Sequence, residues 1–250
     1  MTKKILLLLI LPLVFISSAY AQKDVENIPN FDKQRWHWGY YLGVNMYDFK
    51  ISPTAKGMTN DGTLGINTET TIGFTVGLIG DIRLNDYFNL RFEPGLDLAG
   101  RRLTYHKDVM AKYNKNTYDL EDTIRNIRST YINLPLLLKF GGRRKHNIRP
   151  YLIGGVNLGI DLKSNENSST DNTNGVEGFR MTTLNYSWQA GAGIDWYLPH
   201  FKFTTELRGS FGINNELIKD GTPPGNTITP WTDPIDNLQT RAVFFVLKFE

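Results

Sequence analysis

The sequence predicts an all-β chain: an eight-stranded antiparallel up-and-down transmembrane β-barrel. Three observations carry this reading. Apolar and polar residues alternate with period two through eight segments, each about ten residues or more, the length a tilted membrane strand needs. The gaps between segments alternate, one short and the next long and polar. Glycines and charges of both signs share the polar faces, while aromatics gather near the segment ends.

The chain opens with Lys3 and Lys4, then an apolar run from Ile5 to Ile16 broken only by Pro12. That run is too short for a stable spanning helix. Ala19-Tyr20-Ala21 is a small-x-small cleavage site, so residues 1–21 read as a signal peptide cut before Gln22; the alternative is an uncleaved anchor. Losing Lys3 and Lys4 takes the formal charge from +3 to +1, a balance that does not point to nucleic acid. There is no cysteine, which excludes a lipid-anchored N-terminus, disulfides and thiol chemistry. After residue 21 no apolar run approaches the roughly 18 residues of a membrane helix. A helical membrane protein is thereby excluded; a barrel is not, because its strands are only half apolar. Residues 22–34 read as an extended polar tail in the periplasm, and 35–250 as the barrel.

The first strand is RWHWGYYLGVNMYDF, Arg35 to Phe49: Trp38, Tyr40, Leu42, Val44 and Met46 share one face, and Gly39, Gly43 and Asn45 lie on the other. The second alternates from Ile72 to Arg83, the third from Phe88 to Arg101, and the fourth from Tyr131 to Phe140. The fifth runs from Arg149 to Asp161, the sixth from Asn185 to Trp196, and the seventh from Phe201 to Ile213. The last puts Val243, Phe245, Leu247 and Phe249 on one face. Short gaps fall at Asn85-Asp86, Gly141–Asn147 and Pro199-His200; long ones at about 50–68, 104–128, 163–182 and 214–237. Short turns on one side and long loops on the other are the habit of outer-membrane barrels, and an even strand number leaves both chain ends on the short-turn side, the periplasm. Within the long gaps, YDLEDTIRNIRS (118–129) reads as a short helix, and 163–182 is low-complexity and polar.

A soluble ligand-binding barrel would show the same alternation with its apolar face inward. The composition of the polar face argues against it. Small residues such as Gly39, Gly43, Gly73, Gly77, Gly95, Gly191 and Gly193 suit the narrow interior of an eight-stranded barrel and would only weaken a solvent face. Charges of both signs on that face can pair across a packed lumen: Arg91, Glu93, Asp195, Glu206 and Arg208 are the expected interior network. Aromatics at the strand ends, among them Trp36, Trp38, Phe140, Trp188 and Phe203, fit membrane-interface girdles. Trp38 to Met46 would then face lipid.

No catalytic set emerges. The histidines are His37, His106, His146 and His200, with no metal-ligand spacing among them, and no nucleophile elbow or phosphate loop appears. His106, with Asp108 nearby and Ser129 across the loop, is the one place where a base and a hydroxyl could meet at the outer rim. No metal, cofactor or small-molecule substrate is called for. The interior charges either satisfy one another or line a narrow gated passage.

One family is similar. In the first strand His37-Trp38-Gly39, Leu42-Gly43-Val44-Asn45 and Asp48-Phe49 resemble the PorT family of outer-membrane β-barrels from the Bacteroidota. FEPGLDLAGRR (92–102), STYINLPLLLKFGG (129–142), PYLIGGVN (150–157) and QAGAGIDWYLP (189–199) resemble that family's later strands. VFFVLKFE resembles a barrel-assembly signal, with Glu250 after the usual terminal aromatic. The resemblance implies a non-enzymatic component required for type IX secretion of proteases or gliding adhesins, working with other outer-membrane or periplasmic secretion subunits. Trp36, His37 and Asp48, with the tail, are the expected partner contacts. The other readings are an anchoring or adhesion barrel acting through its long loops, a narrow solute channel, and an enzyme using His106.

Overall fold

The computed structural model describes residues 26–113, 123–164, 166, 180–219 and 231–250. The signal peptide expected over 1–21 and most of the 163–182 loop lie outside the described residues. Ten strands form one antiparallel sheet: β1 (Trp36–Pro53), β2 (Ile66–Thr70), β3 (Ile72–Arg83), β4 (Phe88–Phe92), β5 (Gly95–Tyr105), β6 (Ile124–Gly141), β7 (Ile148–Asp161), β8 (Leu184–Tyr197), β9 (Lys202–Gly212) and β10 (Ile235–Phe249). β1 pairs with β10 on one side and β3 on the other, so the sheet closes on itself and leaves no edge along that length.

The expected count of eight describes the positions around this ring, and ten is the number of strands. β2 with β3, and β4 with β5, each occupy one position. Pro94 has no N–H to give to a ladder and interrupts the latter pair. The register runs through it unshifted: Phe92 pairs with Leu136 and Gly95 with Asn133. The other break inserts a residue. Thr70 pairs with Arg101 and Phe74 with Leu98, so four steps oppose three, and Thr71 N–H donates to the Gly100 carbonyl (3.3 Å). This bulge reverses the inward parity, turning Ile66 into the lumen. It also carries β2 away from β1: among the described residues β2 has a ladder to β5 alone.

Alternation decides which face is which. Ile72 and Leu78 of β3 are 76% and 64% exposed, whereas Asp81 between the strands' inward neighbours is 0% exposed. The same holds around the wall, where Tyr40, Val44, Phe74, Leu98, Leu152, Val156, Leu207 and Phe245 all point out. An apolar surface of this extent has no place in water, and the apolar-inward alternative is thereby removed. Rings stack near both rims: Tyr40 on Phe249 (5.2 Å between centroids) at the short-turn end, and Trp188 on Phe211 (4.3 Å) toward the long loops.

The strands run further than the sequence suggested. β1 and β6 are 18 residues long, against the roughly 9–11 that cross a bilayer, so they project beyond it at the long-loop end. The helix expected over 118–129 is corrected in its described part. Ile124 to Ser129 are strand, because they complete a ladder with β5 from Thr104 to Ala99 and alternate Arg125, Ile127 and Ser129 inward. The one α-helix among the described residues, α1 (Lys107–Ala111), lies just upstream, capped by the His106 ring, which accepts from the Asp108 N–H (3.3 Å).

Candidate functional site

The lumen holds three layers. Near the short-turn end strand parity aims charged side chains inward. Arg91 donates to Asp81, Glu93 (3.3 Å) and Glu250 (2.6 Å). Lys248 bridges Glu93 (2.5 Å) and Glu206 (2.7 Å), and Arg208 reaches the same two carboxylates (3.0 and 3.3 Å). Lys139 pairs with Asp195 (2.5 Å) and Lys202 with Glu250 (2.7 Å). Each of these side chains is buried. The cations Arg91, Lys139, Lys202, Arg208 and Lys248 thus face as many carboxylates, Asp81, Glu93, Asp195, Glu206 and Glu250. This neutrality is what lets so many charges leave water, since each finds an opposite partner. The expected residues Arg91, Glu93, Arg208 and Glu206 form one chain of ion pairs, and Asp195 pairs with Lys139, which lies over the Tyr151 ring (3.9 Å) that donates to Glu206. Asp81, Lys139, Lys202, Lys248 and Glu250 were not in that set of five. Glu250, which looked like a departure from a terminal aromatic, turns inward after the outward Phe249 and completes the layer.

The glycines make room for rings in this layer. A methyl on Gly77 would lie 2.6 Å from the Tyr41 ring, one on Gly95 would collide with the Tyr41 hydroxyl, and one on Gly193 would lie 2.5 Å from Tyr151. Tyr151 donates to Glu206 (2.5 Å).

The middle layer is mostly uncharged polar, with Asp97, Arg101, Asp161 and Glu216 its buried charges. Asp97 accepts from Tyr47 (2.6 Å), Asn133 (2.6 Å) and Thr75. Arg101 donates to Tyr131 (2.7 Å), Ser129 (2.9 Å) and Thr240 (2.8 Å). A cavity of about 30 Å³ beside Asn133, Asn157 and Asn185 has room for a water or two.

The third layer is apolar. Phe49, Ile66, Leu103, Val109, Met110, Trp231, Ile235 and Leu238 pack into one cluster across the long-loop end. Arg101 lies over Phe49 and Arg125 over Trp231, each at 4.0 Å. Above it, Asp233 accepts from Tyr113 (2.7 Å) and pairs with Lys56 (2.9 Å), tying three loops together. Burial raises the Asp233 carboxyl, but the Tyr113 hydrogen bond and the Lys56 charge outweigh it and leave it below the ordinary carboxylate range.

Beneath the charged layer, the tail folds back over the short-turn mouth. It is not the simple extended segment expected: Phe31–Lys33 form a 3-10 turn. Phe31 stacks on His37 (4.4 Å), whose Nε2 donates to the Phe31 carbonyl (2.7 Å). Asp32 accepts from Tyr197 (2.6 Å) and pairs with Arg149 (3.4 Å) and Arg144 (3.7 Å). Asn27 donates to the Asn147 side chain (2.8 Å) and the Tyr197 carbonyl (2.9 Å).

The structure does not bring Trp36, His37 and Asp48 together. Trp36 is exposed on the outer wall at the mouth. His37 is buried in the lumen, under Phe31 and 3.7 Å from Asp81. Asp48 is near the long-loop end, roughly 40 Å along the strand from Trp36, facing outward and bound to Arg241 (2.6 Å). The placement of Asp48 at the short-turn entry is thus corrected: a strand this long carries its two ends to opposite rims. His106 and Ser129 are separated as well. His106 is exposed beside Asp108 (3.6 Å), while Ser129 is buried inside β6, taken up by Arg101. Among the described residues no cluster of His, Cys, Asp or Glu is arranged to hold a metal.

Among solved structures the chain is similar to OprG from Pseudomonas aeruginosa, at 10% identity over 91% of this chain and 98% of that one, with a TM-score of 0.46. It is similar to AlkL in lipid bilayers (12% identity, 92% and 93% covered, TM-score 0.41) and to Ail of Yersinia pestis (11%, 86% and 99%, 0.39). No curated protein matches. One family model, described as an outer membrane protein beta-barrel domain, matches residues 20–217. With most of its length under that match and a closed, lipid-facing ring of strands, the chain belongs to the outer membrane protein beta-barrel family and resides in the outer membrane.

Proposed function

We propose that this protein is a non-enzymatic accessory of type IX protein secretion, a partner-holding or assembly subunit and not the conduit. The observation that carries the second half of this reading is the filled lumen. Among the described residues a neutral charged layer, a hydrogen-bonded middle and an apolar cap succeed one another, which speaks against a lumen wide enough for a protein. Function then falls to the two ends. The secretion assignment rests on the resemblance of the first strand and of 92–102, 129–142, 150–157 and 189–199 to the PorT family. In this reading the ring is a single eight-position barrel with the short turns, residues 22–34 and both chain ends in the periplasm, where secretion subunits would meet it.

The test is a clean deletion in the native host. Many unrelated proteins sharing a C-terminal signal should accumulate in the periplasm and vanish from the medium. An unchanged secreted set would overturn the assignment. The second reading is an adhesion or anchoring barrel. It draws support from the long-loop end, where the Lys56–Asp233–Tyr113 tie and the cap below it hold loops in place. Shortening those loops should then abolish surface binding and spare secretion.

A further inference from the structure

The contact between tail and mouth is built like a bound peptide on its receptor. The receptor side comprises His37, Arg144, Arg149, Tyr197 and Lys202. The segment side offers an aromatic ring and a carboxylate in succession, Phe31 and Asp32. The ring is stacked on His37, meets the edge of Tyr197 (6.4 Å) and has the Lys202 ammonium 4.8 Å from its centre. The carboxylate sits before two guanidinium groups and a phenol. Main-chain capture flanks them, with Arg144 donating to the carbonyls of Asn27 and Ile28. Aromatic stacking, a charge clamp and carbonyl capture are how short peptide segments are recognised.

A second, independent feature marks this contact. Among the described residues two non-glycine positions have φ in the left-handed region, Ile28 (40°) and His146 (58°). Ile28 belongs to the tail. His146 belongs to the turn that receives it, where its carbonyl accepts from Arg144 (2.7 Å) and Asn147 accepts from Asn27. A β-branched residue seldom adopts that conformation, so the tail is held in a shape it would leave once freed. Strain of this kind collects at clamps and switches. Phe31 and Asp32 are only half-buried, so a competitor can reach them from outside the barrel.

We propose that the short-turn mouth is a peptide receptor, and that residues 27–33 are its resident occupant, displaced by a short segment of a partner protein carrying an aromatic residue followed by an acid. This deepens the partner-holding reading and rests on it for the partner's being a secretion protein; the binding test below reads the mouth alone. A fluorescent peptide of residues 27–33, NIPNFDK, is titrated onto the full mature chain in lipid vesicles. The wild type is compared with Phe31→Ala/Asp32→Asn, in which the resident occupant has lost its two anchors. At least tenfold tighter binding to the double variant is expected, lost again at least tenfold when the peptide's own Phe or Asp is replaced by Ala. Equal affinity for both proteins, indifference to the peptide's Phe and Asp, or no binding would overturn the proposal. A second readout needs no weakened tail. The chain has no cysteine, so a nitroxide on Asn30→Cys reports the tail alone. Saturating peptide should convert its spectrum from immobile to mobile; a tail that stays immobile places the peptide elsewhere and refutes displacement. The secretion role is tested separately by the deletion, so a receptor that binds in a host whose secretion is unaffected would leave the mouth and remove only the pathway.

Discussion

Replacing Lys248 by Met tests the neutrality of the charged layer. Lys248 is wholly buried, and its ammonium lies 2.5 Å from Glu93 and 2.7 Å from Glu206. At an effective dielectric of about 20 each such contact is roughly 6 kcal/mol of Coulomb attraction, of which several kcal/mol are cancelled by taking the ion out of water. What remains is the cost of leaving carboxylates short of a cation, about 3–5 kcal/mol when one member of a buried pair is removed. Arg208 still reaches both carboxylates and Arg91 still reaches Glu93, so the fold should survive. The diagnostic is the double variant Lys248→Met/Glu206→Gln, which restores the balance of charges; it should regain roughly half of the loss, a coupling expected only of groups that act on one another. Equilibrium urea unfolding from lipid vesicles, followed by the fluorescence of Trp36, Trp38 and Trp188 on the outer wall, measures both. A single variant that costs less than about 1 kcal/mol, the range of an exposed ion pair, would show that the layer is hydrated and that the argument from burial is wrong.

Three further outcomes follow from other parts of the wall. Gly95→Ala should destabilise by about 1–3 kcal/mol through overpacking against Tyr41, and adding Tyr41→Phe should recover part of that loss in the same unfolding assay. Leu78→Arg, midway along an outward face, should cost about 2–4 kcal/mol in vesicles because it puts a charge in hydrocarbon; a barrel with water outside would lose almost nothing. At the long-loop end the folded-state carboxyl of Asp233 is lowered, so its contribution is present above the ordinary carboxylate range and disappears as pH falls through the lowered value. Protease nicking near Lys56 and Tyr113 should therefore stay slow at pH 5 and accelerate only in stronger acid, whereas opening already at pH 5 would place the carboxyl at or above its ordinary value.

Period two alone was enough to tell inside from outside along most of this chain, because each strand carries one lipid face and one packed face and neither tolerates the other's residues. Arg91, Glu93, Asp195, Glu206 and Arg208 were legible as inward residues for that reason. Lys248 and Glu250 carried the same signal, alternating with Leu247 and Phe249, but they sit where the chain ends and reading Glu250 as a flaw in a terminal motif hid its parity. Breaks in parity are another matter. The inserted Thr71 could not be seen in a polar stretch, so Ile66 gave no sign that it points into the cap. Ile124 to Ser129 looked helical beside its neighbours because a ladder to Thr104–Ala99 is a long-range fact. The tail's docking was illegible too: nothing periodic marks Phe31 and Asp32, and their partners are contributed by the start of β1 and by strand ends and a turn more than a hundred residues away.

The two ends of the lumen are closed by opposite means, and the difference bears on where a partner can act. At the long-loop end the seal is chiefly apolar, with Arg101 and Arg125 laid over its rings; opening it would expose Phe49, Trp231 and their neighbours to water at a cost that grows with every residue uncovered. At the short-turn end the inner seal is ionic and complete without the tail: each of its ten charged groups has a partner among the other nine. The tail therefore adds a lid to a lumen already shut. A lid that is redundant for closure, strained at Ile28 and matched on its receiving side at His146 makes little sense as a gate. It makes sense as an occupant, covering a surface whose stacking and charge would otherwise be open to any aromatic–acidic segment nearby. Removing it should leave the barrel as impermeable as before while changing what the mouth binds.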